Sequence, residues 1–126
     1  MVESFKNNGD GRTLIVTIVM KGWGDAVIEA SMKAGAEGGT IIFGRGIGIH
    51  EKKKILSIPI EPEKEIVLTV TPPNKADDIL REIIKVARLG EPNRGIVFTL
   101  PVDQFFGAVH ASLEDLSQEP GSDSPS

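Results

Sequence analysis

The chain of 126 residues carries 18 acidic and 14 basic side chains, a net charge of −4 at pH 7, one Trp, and neither Cys nor Tyr. That length predicts one domain, and the acidic balance argues against a nucleic-acid partner, which needs a basic face. Disulfides and thiolate metal sites are excluded, and no run approaches the roughly eighteen apolar residues of a membrane span.

Residues 1–12 are polar and glycine-containing and read as a flexible N-terminal segment. Met1 to Asn8 lacks the apolar stretch of a signal peptide, so a cytoplasmic location is expected. Leu14 to Val19 is apolar except at Thr17, the pattern of a strand buried on both faces. Gly22-Trp23-Gly24 breaks it, and Asp25 offers an N-cap for a helix over 25–34, with Val27, Ala30 and Ala34 facing inward and Gly35 as its stop. Gly38-Gly39 turns into a second strand, Thr40 to Phe43, which runs into Gly44-Arg45-Gly46-Ile47-Gly48. Glycine lets backbone amides approach a ligand closely, and an Arg beside them can hold an anion by charge-assisted hydrogen bonds.

Residues 46–60 read as a loop, with Ile49-His50-Glu51-Lys52-Lys53-Lys54 at its centre and Pro59 and Pro62 on its far side. Glu65 to Thr71 is the third strand. Pro72-Pro73-Asn74 stops it and offers a cap for a second helix, with Asp77 and Asp78 in the first turn and Lys85 and Arg88 in the last. Ile79, Ile83 and Ala87, flanked by Leu80 and Ile84, form its apolar stripe, and Gly90 is its expected terminator. Gly95 to Leu100 is the fourth strand, ended by Pro101. From Ser112 the chain is rich in Ser, Glu, Asp, Pro and Gly, the composition of a disordered acidic tail, 112–126.

This order predicts an α+β, ferredoxin-like βαββαβ fold with a four-stranded antiparallel sheet and two helices on one face. A lone domain of this kind leaves its other sheet face wet, and its strands should alternate. Leu14–Val19 and Ile96–Leu100 do not, so a second copy of the chain is the expected cover. The motifs carry a resemblance. Thr17-Ile18-Val19, Asp25, and Gly35, Gly38 and Thr40 fall on matching positions of the P-II nitrogen regulatory proteins. Arg45-Gly46-Ile47-Gly48 lies on their Lys-Gly-Phe-Gly, the root of the effector loop called the T-loop. Ile83 to Gly90 is similar to their helix ending in Ala-Arg-Thr-Gly, and Glu91-Pro92-Asn93-Arg94-Gly95 takes the place of their nucleotide-binding B-loop. Phe98-Thr99-Leu100-Pro101-Val102 resembles their Phe-Val-Leu-Pro-Val.

The resemblance runs from about Leu14 to His110 and implies a P-II-like domain over 13–111. It implies a homotrimer packed through 14–19, 66–70 and 96–100, with a small effector in the intersubunit clefts. That effector is expected to be an adenine nucleotide (ATP, ADP or AMP), controlling a partner protein in nitrogen metabolism. The implied ligand-binding residues are Arg45, Gly46, Gly48, Gly90, Asn93, Arg94 and Gly95, with no metal and no required cofactor. The departures matter too. The two B-loop lysines are Glu91 and Ile96, the arginines after the last strand fall near Gly107 and Val109, and the metal-supporting Gln is His50. Each lost charged hydrogen bond costs about 1.5–3 kcal/mol, so preference is expected to shift toward ADP or AMP, with 2-oxoglutarate binding poorly. No Tyr is present for nucleotidylation.

The same residues have plainer readings: a loop salt bridge for Arg45, chain turning for Gly46 and Gly48, and a solvated turn for Asn93-Arg94-Gly95. His50, His110 and Lys52 to Lys54 read equally as solvated surface, and Trp23 as a hydrophobic plug or subunit contact. Enzyme readings are poor. No Cys is available, no Ser-His-Asp arrangement is indicated, and the two His are not at metal-ligand spacing. Acylphosphatases share the fold but need an Arg-bearing loop after the first strand, where Met20-Lys21-Gly22-Trp23-Gly24 stands. The alternative is a CutA-like trimeric small-ligand or metal-binding protein, marked by a continuous long hairpin between the middle strands. Pro59 and Pro62 oppose such a hairpin.

Overall fold

Burial alternates along Thr13–Met20, the first strand (β1): Ile15, Thr17 and Val19 are sealed, while Leu14, Val16 and Ile18 are only half-buried. The computed structural model describes residues 10–48, 53–55, 58–60 and 62–107. After β1 come α1 (Gly24–Lys33), β2 (Thr40–Arg45), β3 (Lys53–Ile55), β4 (Ile58–Ile60), β5 (Glu63–Val70), α2 (Ala76–Ala87) and β6 (Gly95–Pro101). The main sheet has the order β2-β5-β1-β6 and is antiparallel at every pairing. It is the expected ferredoxin-like βαββαβ architecture.

Both helices cover one face. The core is Ile15, Val19, Val27, Ala36, Val67, Ile79, Ile83 and Ala87. Burial of β1 on both faces is therefore not achieved within one chain; the even-numbered side has no helix above it. Register aligns that side into cross-strand rows, the first being Ile42-Ile66-Ile18-Ile96 across all four strands and the next Thr40-Leu68-Val16-Phe98.

The helix ends differ from the local expectation. Asp25 does not cap α1; Trp23 occupies the N-cap with no side-chain bond. The exposed amides are held from across the sheet, where the buried Glu65 carboxylate accepts hydrogen bonds from Gly24 N (2.7 Å) and Gly22 N (3.0 Å). A carboxylate at a helix N-terminus is favoured by the aligned peptide dipoles, and a Cβ on Gly24 would overlap that carboxylate. Gly35, at φ +120°, does stop α1, with Ala36 N donating to Ser31 O at 2.9 Å. Asn74 is not the cap of α2; it turns the chain at φ 66°, and Lys75 takes the cap position. Nor does Gly90 end the helix. Arg88 adopts the left-handed conformation at φ 55°, so that Leu89 N reaches Ile84 O at 3.1 Å. The bonded turn, with Leu89 packed against the core, offsets the roughly 1–2 kcal/mol cost of a left-handed non-glycine residue.

The segment read as a loop contains a short hairpin. Lys53–Ile55 pairs antiparallel with Ile58–Ile60, with Pro59 opposite Lys54. A two-stranded ribbon is edge on both sides, so a proline whose nitrogen faces outward removes no ladder bond. This ribbon is a sheet of its own, not a continuation of β2 and β5. Pro101 likewise sits inside β6, an edge strand, rather than beyond it. Arg12 has defined contacts: its carbonyl accepts from Val102 N, and its guanidinium lies 4.7 Å from the Phe105 ring centroid. The expected flexible start falls mostly outside the described residues, and the 112–126 tail falls wholly outside them. Among the described residues no helix is long and apolar enough to cross a membrane.

Candidate functional site

Three isoleucines of the first open-face row, Ile66, Ile18 and Ile96, floor a cleft of about 380 Å³. Its rim is Arg45-Gly46-Ile47-Gly48 on one side and Asn93 with Gly95 on the other, with Lys64 beside the floor. The rim segments come together because β2 and β6 begin or end at the same end of the sheet. Gly46 N is tied to Pro62 O at 3.1 Å, which fixes the departure of the chain from β2. On the opposite side Asn93 (φ 63°) and Gly95 (φ +137°) form a left-handed turn into β6. Glycine at 95 is a steric requirement: a Cβ there would strike the carbonyl oxygen of Ile18 on β1.

Five of the seven sequence-predicted residues, Arg45, Gly46, Gly48, Asn93 and Gly95, thus converge on one cleft. Gly90 and Arg94 do not line it. Gly90 is exposed, with open space about its Cα. Arg94 turns away into the helix layer, where its Nε donates to Ala87 O at 3.2 Å and its guanidinium carbon lies 4.1 Å from the Trp23 ring centroid. A guanidinium over an indole face contributes about 0.5–2 kcal/mol. Trp23 is neither wholly plug nor free surface, but the platform for this contact.

Electrostatically the cleft is mildly basic. Arg45 and Lys64 both reach its lining, and both also border a shallower hollow with Lys21, Phe43, Gly44 and Glu63. The Lys64 stem is buried, and its Nζ lies 3.4 Å from Met20 Sδ, its cross-strand neighbour on β1. Lys21 is bound to Glu63 Oε1 at 2.9 Å, and that hydrogen bond, followed by the attraction of the same carboxylate, holds its ammonium above the ordinary lysine value. Ile96 adds apolar wall to the cleft. Among the described residues no cluster of three or more His, Cys, Asp or Glu has metal-binding geometry. His50, Val109 and His110 lie outside the described residues, and Gly107 is exposed near their boundary.

Reading the sequence missed Ile18, Ile47, Lys64 and Ile66 as lining residues, and Glu65 as the distant cap. The period-two parity of β5 was the available signal: even residues face the cleft and odd ones the helices.

The βαββαβ sheet with helices on one face and a cleft on the other defines a class, the ferredoxin-like α+β proteins. The chain belongs to the P-II family: the family model described as Nitrogen regulatory protein P-II matches residues 12–108. Proteins of this family are signal-transduction regulators rather than enzymes. No curated protein matches the chain.

Proposed function

We propose that this P-II protein is a cytoplasmic regulator that reads an adenine nucleotide in the cleft and passes its occupancy to a partner protein, in nitrogen metabolism as the family implies. The observation that carries this reading is the convergence of Arg45-Gly46-Ile47-Gly48 with Asn93 and Gly95 over an isoleucine floor. A cleft of about 380 Å³, apolar below and rimmed by glycines and two cations, suits a flat base with a small anionic tail. Ile96 in place of a phosphate-gripping lysine favours a ligand with fewer phosphates, so ADP and AMP lose less than ATP.

The assembly that completes the cleft is a homotrimer. Ile96, Phe98 and Leu100 are 57%, 45% and 44% exposed in the single chain, a continuous apolar strip on the face without helices. Such a face is buried by association in a protein that stays dispersed. The cleft lies at the end of this strip, where a neighbouring subunit would wall it. Calorimetric titration with ATP, ADP, AMP and 2-oxoglutarate plus magnesium tests the reading. ADP or AMP binding at least as tightly as ATP is the expected result; tight magnesium-dependent ATP binding with 2-oxoglutarate synergy would overturn the phosphate preference. No binding of any adenine nucleotide would overturn the effector assignment.

A further inference from the structure

Arg94 stands between two residues that face the cleft, yet its own side chain runs the other way. Its guanidinium is fixed twice, by the Trp23 ring at 4.1 Å and by Ala87 O at 3.2 Å from Nε. The carbonyl belongs to the last turn of α2, where the helix dipole favours a cation. The Trp23 main chain is itself held in place. Its backbone N–H donates to Met20 O at 3.1 Å, its backbone carbonyl accepts from Val27 N at 3.2 Å, and the glycines on either side are held by Glu65. Gly95 opens β6 opposite Val19, whereas Asn93, at positive φ, precedes that ladder and takes its direction from the turn.

We propose that Arg94 is a positioning residue. Its clamp onto Trp23 and the end of α2 aims the Asn93–Gly95 turn at the cleft, coupling the ligand-facing rim to the N-terminus of α1. The effect on binding rests on the adenine-nucleotide reading above. Glu65 completes the connection, because its neighbours on β5, Lys64 and Ile66, line the cleft while it grips the Trp23 loop.

Trp23 is the sole tryptophan of the chain, so its emission reports on the clamp directly. Arg94→Leu is expected to shift that emission to longer wavelength and to raise the ADP dissociation constant about three- to thirty-fold. ADP should also perturb Trp23 emission in the wild type and no longer do so in the variant, a signature that a merely stabilising contact would not produce. Should Arg94→Leu fail to fold, Arg94→Lys carries the test. Lysine keeps the charge but cannot stack a planar group while donating an Nε–H, so a partial loss of affinity is expected. A folded variant with shifted emission and wild-type ADP affinity would overturn the proposal, as would unshifted emission. If the wild type binds no adenine nucleotide, the effector reading fails on its own. Amide exchange in the ligand-free protein then decides the clamp: faster exchange at Asn93 and Gly95 in the variant supports it, and unchanged exchange overturns it.

Discussion

The helix-covered face of the sheet buries Ile15, Thr17, Val19, Val67 and Thr69, and carries the Glu65 carboxylate at its end. The opposite face presents Leu14, Val16, Ile18, Ile42, Ile66, Leu68, Val70, Ile96, Phe98 and Leu100, with Thr40 the polar exception across these rows. The face without helices is thus the more apolar of the two. The covered face even tolerates two sealed hydroxyls, on Thr17 and Thr69, that have no hydrogen-bond partner among the described residues. Burial in a single chain and hydrophobic content point in opposite directions here. The covered face holds the core of the fold, and the open face, whose first row is also the cleft floor, is the one we propose for assembly and ligand binding.

Removing a core side chain breaks the comparison most strongly. Ile15→Ala, at a fully sealed position, should lower unfolding free energy by about 2–5 kcal/mol. Urea titration reads this directly, and a loss under about 1 kcal/mol would mean that the helix face does not carry the fold. Phe98→Glu tests the other face. Sedimentation equilibrium should give a folded species near the 13.5 kDa chain mass, with subunit stability altered far less than by the core change. An intact trimer in this variant would refute the role assigned to the open face. The smallest effect belongs to Thr17→Val, which keeps the shape and deletes a partnerless hydroxyl. Thermal unfolding should show stability unchanged or raised by up to about 1 kcal/mol; a clear loss would reveal a hydroxyl partner.

Local signals were enough for the four strands and two helices of the main fold, though not for the β3–β4 hairpin. The stripe of Ile79, Ile83 and Ala87, the Asp and Lys at opposite ends of α2, the Gly35 stop and the four apolar strands are properties of contiguous residues, because helix and strand periodicity act over one or two turns. The motif order around Arg45-Gly46-Ile47-Gly48 and Asn93-Arg94-Gly95 also marked the two segments that meet at the rim of a cleft. What contiguous residues could not decide is anything set by register. Which parity of β1 faces the helices, and so which isoleucines floor the cleft, depends on pairing with β5 and β6, more than 40 residues away. The cap of α1 came from Glu65, |i−j| = 41 from Gly24, and not from the adjacent Asp25. Arg88 stopped α2 before Gly90 because a six-residue hydrogen-bonded turn and the packing of Leu89 outweighed the conformational preference of glycine. Arg94, in a turn that reads as ligand-facing, was claimed by Trp23 at the N-cap of α1. At Glu65 and Arg94 a long-range contact of about a kcal/mol overrode a local preference of similar size, and only the folded chain brings those partners within reach.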